Sequence, residues 1–221
     1  MKNTHRATAR EIAHKHLDAG DPLGWFEDLY SRAGENAAII PWADLAPNPN
    51  LIDWLDRHQY ARPGKAMKVG CGLGDDAEEL TRRGFETTAF DISESAIAWC
   101  RKRYPQSAVS YIVADLFSAP AEWGAKFDFV LESYTLQVLP PILRADAVRC
   151  IASFVAPGGT LLIIARGREP GEPEGKMPWP LTKDDLSLFG THALKVVSFE
   201  DYMDSEDPPV RRFRATYRRE K

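Results

Sequence analysis

The 221-residue chain is 44% apolar and 27% charged, the composition of a soluble globular protein long enough to bury a single core without disulfides. Its net charge of −4 gives no global attraction for nucleic acid or an anionic membrane, and Cys71, Cys100 and Cys150 are too scattered for a disulfide framework or a zinc site. No apolar run approaches the roughly 18 residues of a spanning helix and Met1 to Arg6 precedes no hydrophobic segment, so the expectation is a cytoplasmic protein without signal peptide or resident metal.

Residues 1–60 read as an aromatic-rich helical extension or lid. Ala9 to Leu17 has helical composition, Asp21-Pro-Leu-Gly24 interrupts it, and Trp25 to Tyr30 starts a second helix ending near Gly34. Ile40 to Asn50 holds three prolines, which forbid regular helix or central strand, together with Trp42 and Leu45, which argue for an ordered loop. Leu51 to Tyr60 reads as a third helix, and Arg62-Pro-Gly64 leads into the first strand.

Residues 61–221 read as one compact unit in which strands alternate with helices. Strands are expected at 66–69, 86–91, 109–113, 127–131 and 160–165, with helices at 75–83, 93–102 and 142–154. Short apolar strands separated by helices predict an α/β fold, a mostly parallel sheet with helices on both faces. Ser93 is a plausible N-cap, and Pro157-Gly-Gly159 punctuates the entry to the fifth strand. Arg166 to Pro180 is a loop at the carboxyl end of a strand, followed by a short helix over 183–189. Strands at 194–201 and 210–219 are joined by a connection too short for a crossover, which predicts a C-terminal antiparallel hairpin and a seven-stranded Rossmann-like sheet. In the last strand Arg212, Arg214 and Arg218 alternate with Phe213, Ala215 and Tyr217, the pattern of a solvated sheet face.

Gly70, Gly72 and Gly74 follow the first strand directly and precede a helix. Glycines so dense belong where the backbone takes positive φ or something approaches it closely, as a nucleotide does at a helix N-terminus. Asp91 ends the second strand at the spacing from which a carboxylate accepts two hydrogen bonds from a ribose diol; otherwise it caps the next helix. Asp115 ends the third strand, placed to accept from an adenine amino group or to serve as a turn carboxylate. Gly72-Leu-Gly-Asp-Asp-Ala77 also fits a dinucleotide fingerprint, but no second nucleotide half follows the fifth strand to complete an NAD-dependent oxidoreductase.

The set Val69-Gly-Cys-Gly-Leu-Gly74, Phe90-Asp-Ile-Ser-Glu-Ser-Ala96, Ala114-Asp115, Phe127-Asp-Phe-Val130, Leu139-Pro-Pro141 and Ala156-Pro-Gly-Gly159 resembles the class I S-adenosylmethionine-dependent methyltransferases, in order, over about residues 60–166. Within that superfamily Pro41 to Leu51, the Gly74-Asp-Asp76 turn and Leu139 to Arg144 are similar to the thiopurine, thiol and halide methyltransferases and their tellurite-resistance relatives. The resemblance implies S-adenosylmethionine as cofactor, with Gly70, Cys71, Gly72 and Gly74 along its methionyl part, Asp91 and Ile92 at its ribose, and Asp115 and Leu116 framing its adenine. It implies that Glu132, Ser133 and Tyr134, just past the fourth strand, face the transferring methyl group, with Glu132 and Tyr134 as catalytic residues and Glu132 also touching the cofactor. Trp25, Tyr30, Trp42, Tyr134 and Trp179 would wall a small-molecule acceptor pocket, the aromatics otherwise serving as core. Lys68 departs from the pattern, since many class I enzymes have an acidic residue there.

Methyl transfer of this kind is an in-line displacement in which the protein aligns nucleophile, carbon and leaving sulfur. No histidine occurs between His58 and His192, and His5, His14 and His16 sit in the extension. An alcohol acceptor needs a general base, whereas a thiol supplies some thiolate unaided near neutral pH. The expected activity is therefore methyl transfer to a thiol or another soft nucleophile. The alternatives are an O- or N-methyltransferase of a small metabolite and a non-catalytic cofactor-binding module, the latter motivated by Lys68.

Overall fold

The computed structural model describes residues 2–58 and 63–221, together with all side chains there except those of residues 2–4. The expected boundary between the extension and the main unit, with Tyr60 and Arg62, lies outside the described residues.

Seven strands form one sheet: β1 Lys65–Val69, β2 Glu86–Asp91, β3 Ser110–Val113, β4 Phe127–Ser133, β5 Val155–Arg166, β6 Leu194–Met203 and β7 Arg211–Arg219. Their spatial order is β3-β2-β1-β4-β5-β7-β6. The first five run parallel, while β7 is antiparallel to both β5 and β6. This is the Rossmann-like, mostly parallel sheet with a C-terminal antiparallel hairpin that the alternating pattern predicts. The helices are α1 Lys2–Asp18, α2 Gly24–Ala33, α3 Pro49–Arg57, α4 Asp75–Arg82, α5 Glu94–Arg103, α6 Pro141–Phe154 and α7 Lys183–Ser187.

The pleat sends alternate residues to two different cores. Met67, Val69, Val130, Leu161 and Ile163 pack with Val148, Ile151 and Phe154 of α6 and with Leu186 of α7. Their strand neighbours Ala66, Phe129, Leu131, Leu162 and Ile164 pack with Leu51, Trp54 and Leu55 of α3 and Leu80 of α4. Burial on both faces is why these strands read as apolar runs. In the extension, Ile12, Trp25, Leu29 and Tyr30 share a cluster with Leu73, Trp99 and Met177. Glu27 of α2 ties that layer to the N-terminus of α5, accepting from Ser93 Oγ at 2.7 Å and Ser95 N at 3.0 Å.

Four expectations change. Strand β4 runs on to Ser133, so Glu132 lies within it, pairing with Val69 and Ile163, and not past its end. Strand β5 begins at Val155 because Val155 already pairs with Phe127; Pro157-Gly-Gly159 sits inside the strand at a register shift where Gly158 has φ +75°. Helix α3 starts at Pro49, with Asn48 as its N-cap accepting from Asn50 N, and ends at Arg57. The last correction is physical: Arg212 and Arg214 do not line a solvated face but are 3% and 4% exposed. Strand β7 lies between β5 and β6 under α3, and carboxylates neutralise the two arginines there: Asp204 and Glu206 for Arg212, Glu200 and Asp53 for Arg214. Arg218, near the end of the strand, is exposed.

Candidate functional site

A crevice of about 1290 Å³ opens at the carboxyl ends of β1, β2, β3, β4 and β5, the position at which open α/β sheets bind ligands. The bend after β1 forms its floor. Gly70, Gly72 and Gly74 have φ of +56°, +54° and +91°, in the left-handed region that glycine alone enters without strain. Cys71 N donates to Phe90 O at 2.9 Å, so the bend stays tied to β2 as it turns. Gly74 is the N-cap of α4, and a Cβ on it would lie 2.5 Å from the Tyr111 hydroxyl. Tyr30 and Trp42 cover Gly72: a Cβ there would lie 3.1 Å from the Tyr30 hydroxyl, which itself accepts from Trp42 Nε1 at 2.9 Å.

Two buried carboxyl groups, Asp91 and Glu132, and the partly buried Asp76 surround one lysine beneath this bend. Asp91 accepts from Gly72 N at 2.9 Å and Ser93 N at 3.1 Å; burial raises its pKa, against those bonds and the charge of Lys68. It therefore clamps the bend and caps the turn into α5, and still lines the crevice. Asp76 accepts from Asn48 N at 2.8 Å, and its pKa too is raised by burial against Lys68. Glu132 is fully buried; Oε1 accepts from Thr135 N at 2.7 Å and Leu136 N at 2.9 Å, while Oε2 has no partner. Burial pushes its carboxyl up to about 7. Lys68, 3% exposed, donates from Nζ to Val69 O at 2.8 Å and Gly70 O at 3.2 Å, and its charge opposes the burial-driven rise of all three carboxyl pKa values. The residue that breaks the sequence pattern is thus the counter-charge of an acidic cluster.

Of the expected cofactor residues, Gly70, Cys71, Gly72, Asp91, Ile92, Asp115 and Leu116 line the crevice. Asp115 also serves its own turn, accepting from Phe117 N at 2.9 Å. Gly74 stands behind the wall and shapes the bend. Glu132 does not face the crevice but fastens the turn after β4 from within the core. Among the expected acceptor-pocket aromatics, Tyr30, Trp42 and Tyr134 line the crevice, whereas Trp25 is buried in the extension's cluster, stacked on Phe26, and Trp179 packs at that cluster's margin. Tyr134 has φ +66°, an uncommon conformation for a bulky residue, and its ring lies 5.0 Å from the Arg212 guanidinium. Burial raises the pKa of both Tyr30 and Tyr134, so each keeps its proton near neutral pH. Among the described residues no histidine lines the crevice.

Several lining residues were not singled out from the sequence: Asn48, Gln137, Met177 and the arginines Arg6, Arg166 and Arg212. Arg166 carried a usable signal, because it ends the fifth strand on the ligand side of the sheet. The others come from α1, from loops and from β7, whose approach to the crevice depends on the tertiary fold.

The strand order and the glycine bend define a class I methyltransferase fold. Residues 66–159 match the family described as Methyltransferase domain, whose cofactor is S-adenosylmethionine. The chain is 30% identical over 146 residues to a ubiquinone biosynthesis O-methyltransferase from Azoarcus sp., covering 65% of this chain and 61% of that one. Other curated relatives with that name are matched over about half of their length, 53% for that of Stutzerimonas stutzeri. In fold the chain is similar to the 1,6-didemethyltoxoflavin-N1-methyltransferase of Burkholderia thailandensis, solved with S-adenosylhomocysteine, with a TM-score of 0.68, 18% identity and coverage of 89% of this chain and 86% of that one. A TehB-like S-adenosylmethionine-dependent methyltransferase from Corynebacterium glutamicum aligns with a TM-score of 0.62, 17% identity and coverage of 89% and 98%.

Proposed function

We propose that the chain is an S-adenosylmethionine-dependent methyltransferase of a small molecule. The observation that carries this reading is the junction of the Gly70–Gly74 bend with the carboxylate of Asp91 at one end of an open crevice, within a methyltransferase-domain match. The residues fit that cofactor. A Cβ at any of the bend's three glycines would press on a neighbouring hydroxyl, Asp91 retains lone pairs for a ribose diol, and Asp115 and Leu116 stand on β3's side for an adenine. Lys68 and Asp76 present opposite charges to a zwitterionic methionyl end, the lysine facing its carboxylate and the aspartate its ammonium. When bound, the cofactor's sulfonium supplies a methyl group to an incoming nucleophile and leaves as a thioether. The protein's work is to align the partners and exclude water, which positioning alone can make worth about 7–11 kcal/mol. Helices α1, α2 and α3, of which Glu27 fastens α2 to the start of α5, cover the crevice as its lid.

The acceptor is a soft or already ionised nucleophile, with a thiol first. Tyr30 and Tyr134 hold their protons, no histidine among the described residues lines the crevice, Glu132 is turned into the core, and the lining carboxylates Asp76 and Asp91 are taken up by the cofactor in this reading, so the acceptor has little help in losing a proton. Tyr134 serves as a hydrogen-bond donor beside the reacting atom. Likeness to relatives named O-methyltransferase favours a second reading, transfer to the oxygen of an acidic phenol. Transfer of labelled methyl from S-adenosylmethionine to a panel of aryl thiols, acidic phenols and amines separates the two. Thioether product supports the thiol reading, aryl ether alone the second, and tight cofactor binding with no transfer to any of them leaves a non-catalytic binding module.

A further inference from the structure

The sheet order separates two ends of the crevice. Asp91 and Asp115 lie beyond β2 and β3, whereas Arg166 ends β5, past β1 and β4 on the other side. Arg166 is partly buried, and its backbone N–H donates to Gln137 Oε1 at 2.7 Å. Its guanidinium has no hydrogen bond, ion pair or ring contact among the described residues. Two residues on, Arg168 is fully engaged, bonded to the carbonyls of Pro180 and Glu172 and paired with Glu174. Buried Arg214 is likewise held by Asp53 and Glu200.

The charges around Arg166 aggravate its position. Arg212 and Arg6 repel it; Glu206 attracts it but is already bonded to Arg212, as is Asp204 at 2.6 Å. A guanidinium does not shed its proton in a protein, so the chain carries an uncompensated, half-desolvated cation in the wall of its crevice. Such a group destabilises the empty protein and has five donors in a planar fork suited to a two-oxygen anion. Met177, Pro178 and Tyr134, lining the same crevice, supply apolar walls.

We infer that Arg166 is an anion-recognition residue and that the methyl acceptor bears a carboxylate or phosphate group, which the Arg166 fork grips while Arg6 adds to the attraction. The term acceptor rests on the methyltransferase reading; the anion site itself does not.

Thermal unfolding of the wild type and of Arg166→Met is to be followed with phosphate, benzoate or neutral benzamide at matched ionic strength, each with and without S-adenosylhomocysteine. Methionine keeps the apolar stem's volume and removes the charge. At ten times the dissociation constant an anion raises the wild-type midpoint by about 3–6 °C. Phosphate or benzoate, but not benzamide, is expected to do so. Arg166→Met is expected to lose the response and, without anion, to unfold at an equal or higher temperature, since it removes an unpaired cation; Arg166→Lys keeps part of the response. A lower midpoint with the anion response intact assigns Arg166 a structural role and overturns the proposal, as does a wild type indifferent to both anions. Failure of S-adenosylhomocysteine to shift any midpoint counts against the cofactor reading alone.

Discussion

Asp91 Oδ2 accepts the backbone N–H of Gly72 at 2.9 Å, so the carboxylate that ends β2 also fastens the bend that ends β1. Under the proposed function the same side chain would serve both the ribose and the fold. Asp91→Ala should weaken S-adenosylhomocysteine binding by about 2–3 kcal/mol, roughly 30- to 150-fold, because the ribose loses its acceptor and the bend its anchor. Asp91→Asn, which keeps an acceptor oxygen, should lose less. Calorimetric titration reads both; an unchanged dissociation constant for Asp91→Ala would remove the ribose from this carboxylate.

Gly72 has φ +54° and lies under the Tyr30 hydroxyl. Gly72→Ala would force a non-glycine residue into the left-handed region and press its methyl against that hydroxyl, at a cost of about 1–3 kcal/mol. Urea unfolding should show that loss, and cofactor affinity should fall with it, since the displaced Tyr30 and Trp42 line the same crevice.

Lys68 offers a test of ligand polarity. If its Nζ faces the methionyl carboxylate, Lys68→Met should weaken S-adenosylhomocysteine about tenfold or more, yet leave 5′-methylthioadenosine, which lacks the amino-acid end, nearly unaffected. Equal weakening of both ligands would mean that the lysine acts only on the packing of the bend.

Glu132 gives a pH dependence of defined sign. Its carboxyl is pushed up to about 7 in the folded protein from an ordinary value of 4.5. Between those values the native state holds more protons than the unfolded chain, so stability falls as pH rises through that window. The shift corresponds to up to about 3 kcal/mol. Unfolding free energies of the wild type and Glu132→Gln, measured from pH 4.5 to 7.5, should diverge with rising pH as the wild type loses more stability than the variant. Parallel curves would mean that Glu132 is ionised throughout.

Much of this arrangement was readable in the residues. The strand–bend–helix unit around Gly70 to Gly74, the carboxylates after β2 and β3, and the antiparallel hairpin all follow from local rules of φ, alternation and connection length. What local rules missed lies in contacts across the sheet. Arg212 and Arg214 look solvated when β7 is imagined at an edge, and become buried ion pairs once β7 inserts between β5 and β6 beneath α3. Glu132 reads as a residue beyond a strand, but two further residues of pairing turn it into the core. The family resemblance places Trp25, Trp42 and Trp179 alike at an acceptor pocket, and only packing separates the ring that meets the crevice from those that support it.

The central claim is that the crevice over β1 and β2 grips an adenosine joined to a methionine. Equilibrium titration of the purified chain with S-adenosylhomocysteine, alongside NAD, tests it most directly. The predicted result is saturable one-to-one binding of the homocysteine compound, weakened in Asp91→Ala, with no competition from NAD. Binding of NAD in its place, or no binding of the homocysteine compound at millimolar concentration, would contradict it.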